Sequence, residues 1–354
     1  MLNRLRGLSG RNRLSIKLLL SVALASPAGG VLADEVVNIY SYRQPKLIAP
    51  LTDAFTKITG IETRVIFADK GLEERIKAEG LNSPADVILT VDISRLAGAA
   101  ELGVTQPVSN EVIESAIPEQ YRDPHGNWFG LTTRSRVVYA SKERVPQTSI
   151  TYEELADPKW KGRVCTRSGQ HVYSIGLIAS MIAHHGADAA EKWLTGVKNN
   201  LTRKPAGNDR AQVKSIFAGE CDVALGNTYY MALMRTNDKE PEQKDWANSV
   251  HVIFPNSENR GSHVNISGMA MAVNAPNKAN ALKLMEFLTS DDAQKIYAET
   301  NHEYPVAADV DVSDMVRSFG VLKADPLPLA EIAKHRKAAS ELVDKVGFDD
   351  GPSS

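Results

Sequence analysis

Strand and helix signals alternate from Val36 to Leu102, and this alternation limits the fold of the 354-residue chain more than any other feature. Val36-Val37-Asn38-Ile39-Tyr40-Ser41 is apolar and β-branched, as a buried strand requires. From Pro45 to Thr59, Leu47, Ile48, Leu51, Phe55 and Ile58 recur at helical spacing, and Gly60 ends the run. Thr63–Phe67 reads as a strand, Gly71–Glu79 as a helix, Ala85–Thr90 as a buried strand, and a further helix runs to Leu102. A β-α-β-α-β order demands a largely parallel sheet with helical crossovers. Ligands of such sheets bind beyond the carboxyl ends of the strands.

The first 33 residues read differently. Arg4, Arg6, Arg11, Arg13 and Lys17 precede the apolar run Leu18–Ala25, and Val31-Leu32-Ala33 suits a signal peptidase. A Sec-type signal peptide cut near Ala33 is expected. Arg11 and Arg13 are not adjacent, so no twin-arginine signal is formed. The run is too short for a membrane anchor, and no cysteine near the cut suggests a lipoprotein. Removing five basic residues from 41 leaves 36 against 43 acidic ones, a mildly acidic mature chain without a basic tract for nucleic acid.

The second half continues the pattern around two cysteines. Arg163–Thr166 and Cys221–Leu225 read as strands, with helices expected around Val172–His185, Asp188–Lys198 and Arg210–Ala218. Trp128–Ser141 and Val264–Val273 read as long extended crossings between two lobes. Helices are expected at Lys278–Thr289, at Asp291–Glu299, and from about Leu329 to Val346, where the last one braces a lobe. Gly351–Ser354 reads as a frayed tail. In an exported chain, Cys165 and Cys221 read most simply as one disulfide, with two free thiols as the alternative. Closing that loop would contribute about 4 kcal/mol by chain entropy. Tyr173 lies eight residues after Cys165, and Tyr229, followed by Tyr230, lies eight after Cys221. A disulfide would bring these phenols together, and three phenols in one cleft suit a hard trivalent cation. The plainer reading of such a tyrosine pair is amphipathic packing.

Several stretches carry a family likeness. They are Asn38–Arg43, Pro84–Asp92, Gly130–Val137, Leu155–Cys165 and Gly219–Tyr230, the last containing Gly-Asn-Thr-Tyr-Tyr. In order, they resemble the periplasmic ferric-iron-binding proteins of ABC iron transporters. The resemblance implies an α/β, two-lobed periplasmic binding protein fold, type II-like, with two three-layer lobes joined by hinge strands. The amino-terminal lobe would comprise 34–134 plus about 260–310, and the carboxy-terminal lobe 135–259 plus about 311–354. It further implies a monomeric periplasmic receptor, not an enzyme, that delivers Fe(III) to an inner-membrane permease. Tyr173, Tyr229 and Tyr230 would be the metal ligands. Relatives place a histidine or His-Tyr where this chain has Gln44 and Pro45. Three tyrosines completed by carbonate or another synergistic anion, or by water, are therefore expected.

Gln44, Arg134, Ser168, Gly169, Asn208 and Asn227 are the expected supporting or anion-binding residues, Ser168 and Gly169 through free backbone N–H groups before a helix. For Arg134 an interlobe salt bridge is the alternative. Tyr40 and Tyr42 read as packing, His184 and His185 as solvated helix-end residues, Asp86 and Asp92 as turn and cap residues, and Glu73-Glu74-Arg75 as a solvated face. A competing ligand on the same scaffold is a small organic molecule, such as a polyamine or thiamine. An enzyme ranks lower, because neither a phosphate loop nor a nucleophile elbow is present.

Overall fold

The computed structural model describes residues 35–307 and 309–352. The expected signal peptide and its cleavage point lie outside the described residues, as do Ser353 and Ser354. The chain opens with β1 (Val36–Ser41), α1 (Pro45–Thr59), β2 (Glu62–Phe67), α2 (Leu72–Glu79), β3 (Val87–Thr90) and α3 (Ile93–Glu101), in the expected order. β1 pairs in parallel with both β2 and β3. Gly60 closes α1 at φ 75°, a left-handed conformation that suits a residue without Cβ. β1 and β3 are buried along nearly their whole length and share one core with Ile48, Leu51 and Phe55 of α1, and each fully buried apolar side chain contributes about 1.5–3 kcal/mol.

The middle of the chain supplies β4 (Thr105–Gln106), α4 (Glu111–Ala116), β5 (Phe129–Ser141), β6 (Val164–Cys165), α5 (Val172–His185), α6 (Ala187–Asn200), α7 (Asp209–Phe217) and β7 (Val223–Asn227). There follow α8 (Thr228–Arg235), α9 (Glu242–Asn248), β8 (Val250–Ile253) and β9 (Val264–Ala272). The last stretch holds α10 (Lys278–Leu288), α11 (Asp291–Asn301), β10 (Tyr304–Pro305), α12 (Asp314–Arg317), α13 (Leu329–Ala333) and α14 (Arg336–Val346). The main strand order is β2-β1-β3-β9-β5-β7-β6.

β5 and β9 explain how two lobes share this order. Residues Thr132 to Ser135 of β5 pair with β9, while Arg136 to Ala140 pair with β7 and Val138 to Ser141 with β8. One strand therefore serves both halves, and it is buried along its whole length. Two apolar cores result, one centred on the first sheet and α5–α6, the other on Val137, Val213, Met231 and Phe254.

The carboxy-terminal end departs from the expected pattern. The single helix expected from about Leu329 to Val346 is two helices, because Lys334 and His335 donate their N–H groups to carbonyls three residues back and tighten the turn. α14 does brace the fold, packing on α5 and α6. Gly351 is not frayed: it is buried, and its N–H donates to the Phe348 carbonyl at 3.2 Å.

Candidate metal centre

β6 and β7 are neighbouring parallel strands, with Cys165 opposite Ala224. Their chains leave the sheet at the same end, so the helices that follow start close together. Cys165 and Cys221 form a disulfide with Cα atoms 5.9 Å apart, tying the two strands beneath those starts. Tyr173 is the second residue of α5, and Tyr229 and Tyr230 are the second and third of α8. The parallel pair thus converts the matched Cys-to-Tyr spacing into proximity. Gly226 is required for this geometry. A Cβ there would lie 2.0 Å from Cε2 of Tyr139, whose hydroxyl donates to the Asn227 carbonyl at 2.5 Å.

The Tyr229 hydroxyl donates to the Tyr173 hydroxyl at 3.1 Å, and the Tyr229 and Tyr230 rings lie 4.3 Å apart at 36°. All three rings are partly accessible. No carboxylate accepts a hydrogen bond from any of them among the described residues. Guanidinium groups approach instead: Arg134 and Arg167 lie 5.9 and 5.2 Å from the Tyr173 ring centre, and Arg210 lies 5.1 Å from that of Tyr230. The buried setting pushes the Tyr229 phenol well above its ordinary pKa, aided by Tyr173, Tyr230 and Asp209 and opposed by Arg134. Tyr230 is raised as well, by burial, then by Tyr173 and Asp209. Tyr229 and Tyr230 therefore keep their protons at physiological pH, and a bound cation would draw those protons off.

Asp209, at the start of α7, organises the surroundings. It is fully buried and accepts from Arg136 Nη1 at 2.8 Å, Arg167 Nη1 at 3.0 Å and the Asn227 N–H at 2.9 Å. One carboxylate thus joins β5, the loop after β6 and the β7–α8 junction. Asp209, Arg136, Arg167 and Arg210 went unnoticed in the sequence, where Asp209 reads as a helix-start acid. The two-residue spacing of Arg134 and Arg136 inside an apolar strand was the available signal, since two such charges share a sheet face and need partners. His171 was also missed. It caps α5, its Nδ1 accepting from the Tyr173 N–H at 3.2 Å, and its ring lies edge-on to Tyr173 at 4.5 Å. Burial lowers its pKa to about 4, with nearby Arg167 contributing.

The expected supporting residues fall into different places. Arg134 is buried beside the tyrosines, bonded through Nη1 to Ser267 Oγ at 3.1 Å, with Nε and Nη2 unpaired. It makes no ion pair among the described residues, so the salt-bridge alternative is not what the structure holds. Asn227 is buried and accepts from Arg136 at 3.2 Å. Asn208 is exposed and caps α7, accepting from the Ala211 N–H at 3.1 Å. Gln44 is exposed at the start of α1, and no hydrogen bond joins it to the tyrosines. Ser168 Oγ and the Gly169 N–H donate to Asp349 at 2.5 and 2.7 Å. The Gly169 N–H, expected to be free for an added anion, is thus bound to a carboxylate of the chain itself.

Two other expectations are corrected. Glu73 is not on a solvated face: it is buried and accepts from the Tyr42 hydroxyl. His184 and His185 are not simply solvated, because their Nε2 atoms meet Asp325 at 2.5 Å and Glu153 at 2.7 Å. Tyr40 and Tyr42 are buried packing residues, and Asp92 caps α3. Two cavities of about 560 Å³ each lie away from the tyrosines. One borders Tyr42, Arg95 and Arg336, the other α6, and among the described residues no group of three or more His, Cys, Asp or Glu side chains is placed to hold a metal ion.

Two α/β lobes sharing crossing strands, with a cluster of like donors at helix starts beside the crossing, define a hinged solute-binding protein. The chain belongs to the bacterial extracellular solute-binding protein family, which it matches over residues 82–319. It is 44% identical over 318 residues to iron uptake protein A1 of Synechocystis, covering 89% of this chain and 88% of that protein. Among solved structures it is similar to the Bordetella ferric binding protein, at 51% identity and a TM-score of 0.84, with 89% of this chain and 99% of that one covered. A Trichodesmium protein solved in complex with iron and citrate is 44% identical, with a TM-score of 0.86 over 88% and 99% of the two chains.

Proposed function

We propose that this protein captures Fe(III) in the periplasm with Tyr173, Tyr229 and Tyr230 and delivers it to the inner-membrane permease of an ABC transporter. It acts as a receptor, not an enzyme. The observation that carries this reading is the 3.1 Å separation of the Tyr173 and Tyr229 oxygens, neither of which is hydrogen-bonded to a carboxylate. Adjacent corners of an octahedron with bonds of about 2.0–2.1 Å lie about 2.9 Å apart, so both oxygens suit one small hard cation. Three phenolates would balance three positive charges and leave a neutral core, which limits the cost of burial.

Helix starts favour negative charge, so the first turns of α5 and α8 would stabilise the phenolates. The unpaired Nε and Nη2 of Arg134 suit an anion such as carbonate or citrate, which would complete the coordination. The switch of β5 partners at Ser135–Arg136 supports a lobe boundary at 134/135, with the return through β9. Closure about these strands would bring Gln44 over the tyrosines.

The test is titration of the metal-free mature protein with ferric citrate, followed by visible absorption and metal analysis. A stoichiometric phenolate-to-iron charge-transfer band, lost in Tyr229→Phe, is expected. Absence of both the band and retained iron would overturn the reading and bring a small organic ligand to the fore.

A further inference from the structure

The loop leading to Tyr173 is held from the far end of the chain. Asp349 lies in the turn Phe348–Asp350, directly after α14. Its Oδ2 accepts from Ser168 Oγ at 2.5 Å and its Oδ1 from the Gly169 N–H at 2.7 Å. Ser168 Oγ also accepts from the Gln170 N–H at 3.1 Å, and the Ser168 carbonyl from the His171 N–H at 3.2 Å. His171 in turn accepts from the Tyr173 N–H. Hydrogen bonds therefore run without a break from Asp349 to the backbone of Tyr173.

The same segment is braced sideways. Gln170 Nε2 donates to the Ser340 carbonyl at 3.0 Å and to Asp344 Oδ1 at 2.8 Å, both on α14. Gly169 sits tightly on this surface, since a Cβ there would lie 2.8 Å from Phe348 Cδ1 and 2.9 Å from Val343 Cγ1. Tyr229 and Tyr230 have no tether from the carboxy-terminal turn among the described residues; their helix follows β7 directly, and Asp209 holds that junction instead. Of the three phenols, only Tyr173 is placed by a loop whose contacts come from the carboxy-terminal turn.

We propose that Asp349 is a positioning residue for the metal centre, fixing the 168–171 loop so that the Tyr173 oxygen meets the metal alongside that of Tyr229. The inference rests on the tyrosine reading given above. It also implies that an added anion binds on the Arg134 side of the cluster, because Asp349 already holds the Gly169 N–H.

The test compares Asp349→Ala, Asp349→Asn, Tyr173→Phe and the double variant Asp349→Ala/Tyr173→Phe, each loaded with ferric citrate. Asp349→Ala should weaken iron binding about tenfold, as removal of supporting partners around a metal does. Its charge-transfer band should lose the share of one phenolate in three. Asp349→Asn keeps an acceptor for the Gly169 N–H and should recover most of the affinity. In the Tyr173→Phe background the alanine change should cost nothing further, since coupled residues are non-additive. If Asp349→Ala does not fold, Ser168→Ala provides the same comparison on a milder change, with a smaller loss that again vanishes in Tyr173→Phe. Unchanged affinity and band in Asp349→Ala, or an equal loss in the Tyr173→Phe background, would overturn the proposal. Full iron binding by Tyr173→Phe itself would overturn both the ligand assignment and the proposal. Loss in Tyr173→Phe with none in Asp349→Ala would overturn the proposal alone.

Discussion

The molecule holds two groups of tyrosines that look alike in sequence and differ in their partners. Tyr40 and Tyr42 sit on and just after β1, both buried, with Arg75 and Arg95 over their rings at 5.0 and 3.8 Å. The Tyr40 hydroxyl donates to both oxygens of Glu79 at 3.0 Å, and the Tyr42 hydroxyl donates to Glu73 while accepting from the Leu72 N–H at 2.9 Å. Tyr229 also lies among neighbours that include arginine, but its hydroxyl meets another phenol. Burial raises the pKa of Tyr42 and of Tyr229 alike, with Glu73 adding to the first and Tyr173 to the second. A raised phenol therefore does not by itself mark a metal ligand. The acceptor decides: a proton shared with a carboxylate is held in place, whereas one shared between two phenols is displaced by a cation that binds both.

The largest expected effect contrasts the two groups directly. Tyr229→Phe should lower Fe(III) affinity by about a hundredfold or more, as expected when a direct ligand is lost and not merely a supporting partner. Tyr42→Phe should keep full iron stoichiometry and an unchanged absorption band. Its cost falls on stability, about 1–3 kcal/mol, because Glu73 loses its donor and the Leu72 N–H its acceptor. Competition with citrate and urea unfolding separate the two, and iron loss in Tyr42→Phe would erase the distinction.

Protons provide the next measurement. Tyr229 and Tyr230 start protonated at neutral pH, since both are raised. Iron bound through them, as proposed, must release their protons, so affinity would rise with pH by about tenfold per unit for each proton released. Proton release measured in weakly buffered solution should fall by one per iron in Tyr230→Phe and stay unchanged in Tyr42→Phe. No release in the wild type would mean that these hydroxyls are not ligands.

Arg134 tests the electrostatic side of the contrast. It opposes the upward shift of Tyr229, so Arg134→Gln should raise that phenol further. Iron affinity should then drop about tenfold at pH 7 and recover as the pH rises. A loss that does not recover at higher pH would instead point to an anion held by the guanidinium.

Much of the fold was legible because periodicity reports burial. The Val36–Thr90 alternation and the Val172–His185 helix sit where their apolar spacing placed them, and the long crossings proved to be β5 and β9. The matched Cys-to-Tyr spacing became proximity of Tyr173 and Tyr229 because β6 and β7 are parallel neighbours. What stayed hidden were contacts made at long range in sequence. Glu73 reads as surface because its helix is otherwise charged, yet Tyr42 draws it inward from 31 positions away. Asp349 lies 180 positions from the Gly169 N–H that it accepts from, between the expected last helix and the expected tail. Local pattern carries no information about such partners, which only the packed chain brings together.

The smallest predicted effect lies at Tyr40. Glu79 is held below the ordinary carboxylate range: burial acts to raise it, and bonds from Arg75, Ser83 and Tyr40 outweigh that. A depressed carboxylate contributes stability above its unfolded pKa of about 4.3, and that contribution is lost as the pH falls through the lower folded value. Glu79→Gln should therefore leave a slightly flatter decline in stability below about pH 4.3, with a difference at pH 7 under about 1 kcal/mol because solvent reaches the half-exposed Arg75 and screens the pair. Its iron band should match the wild type. If freeing Tyr40 of its carboxylate instead added a second bound iron, the partner would matter even more than the surrounding site, because a buried phenol would then need only to lose its acceptor to become a ligand.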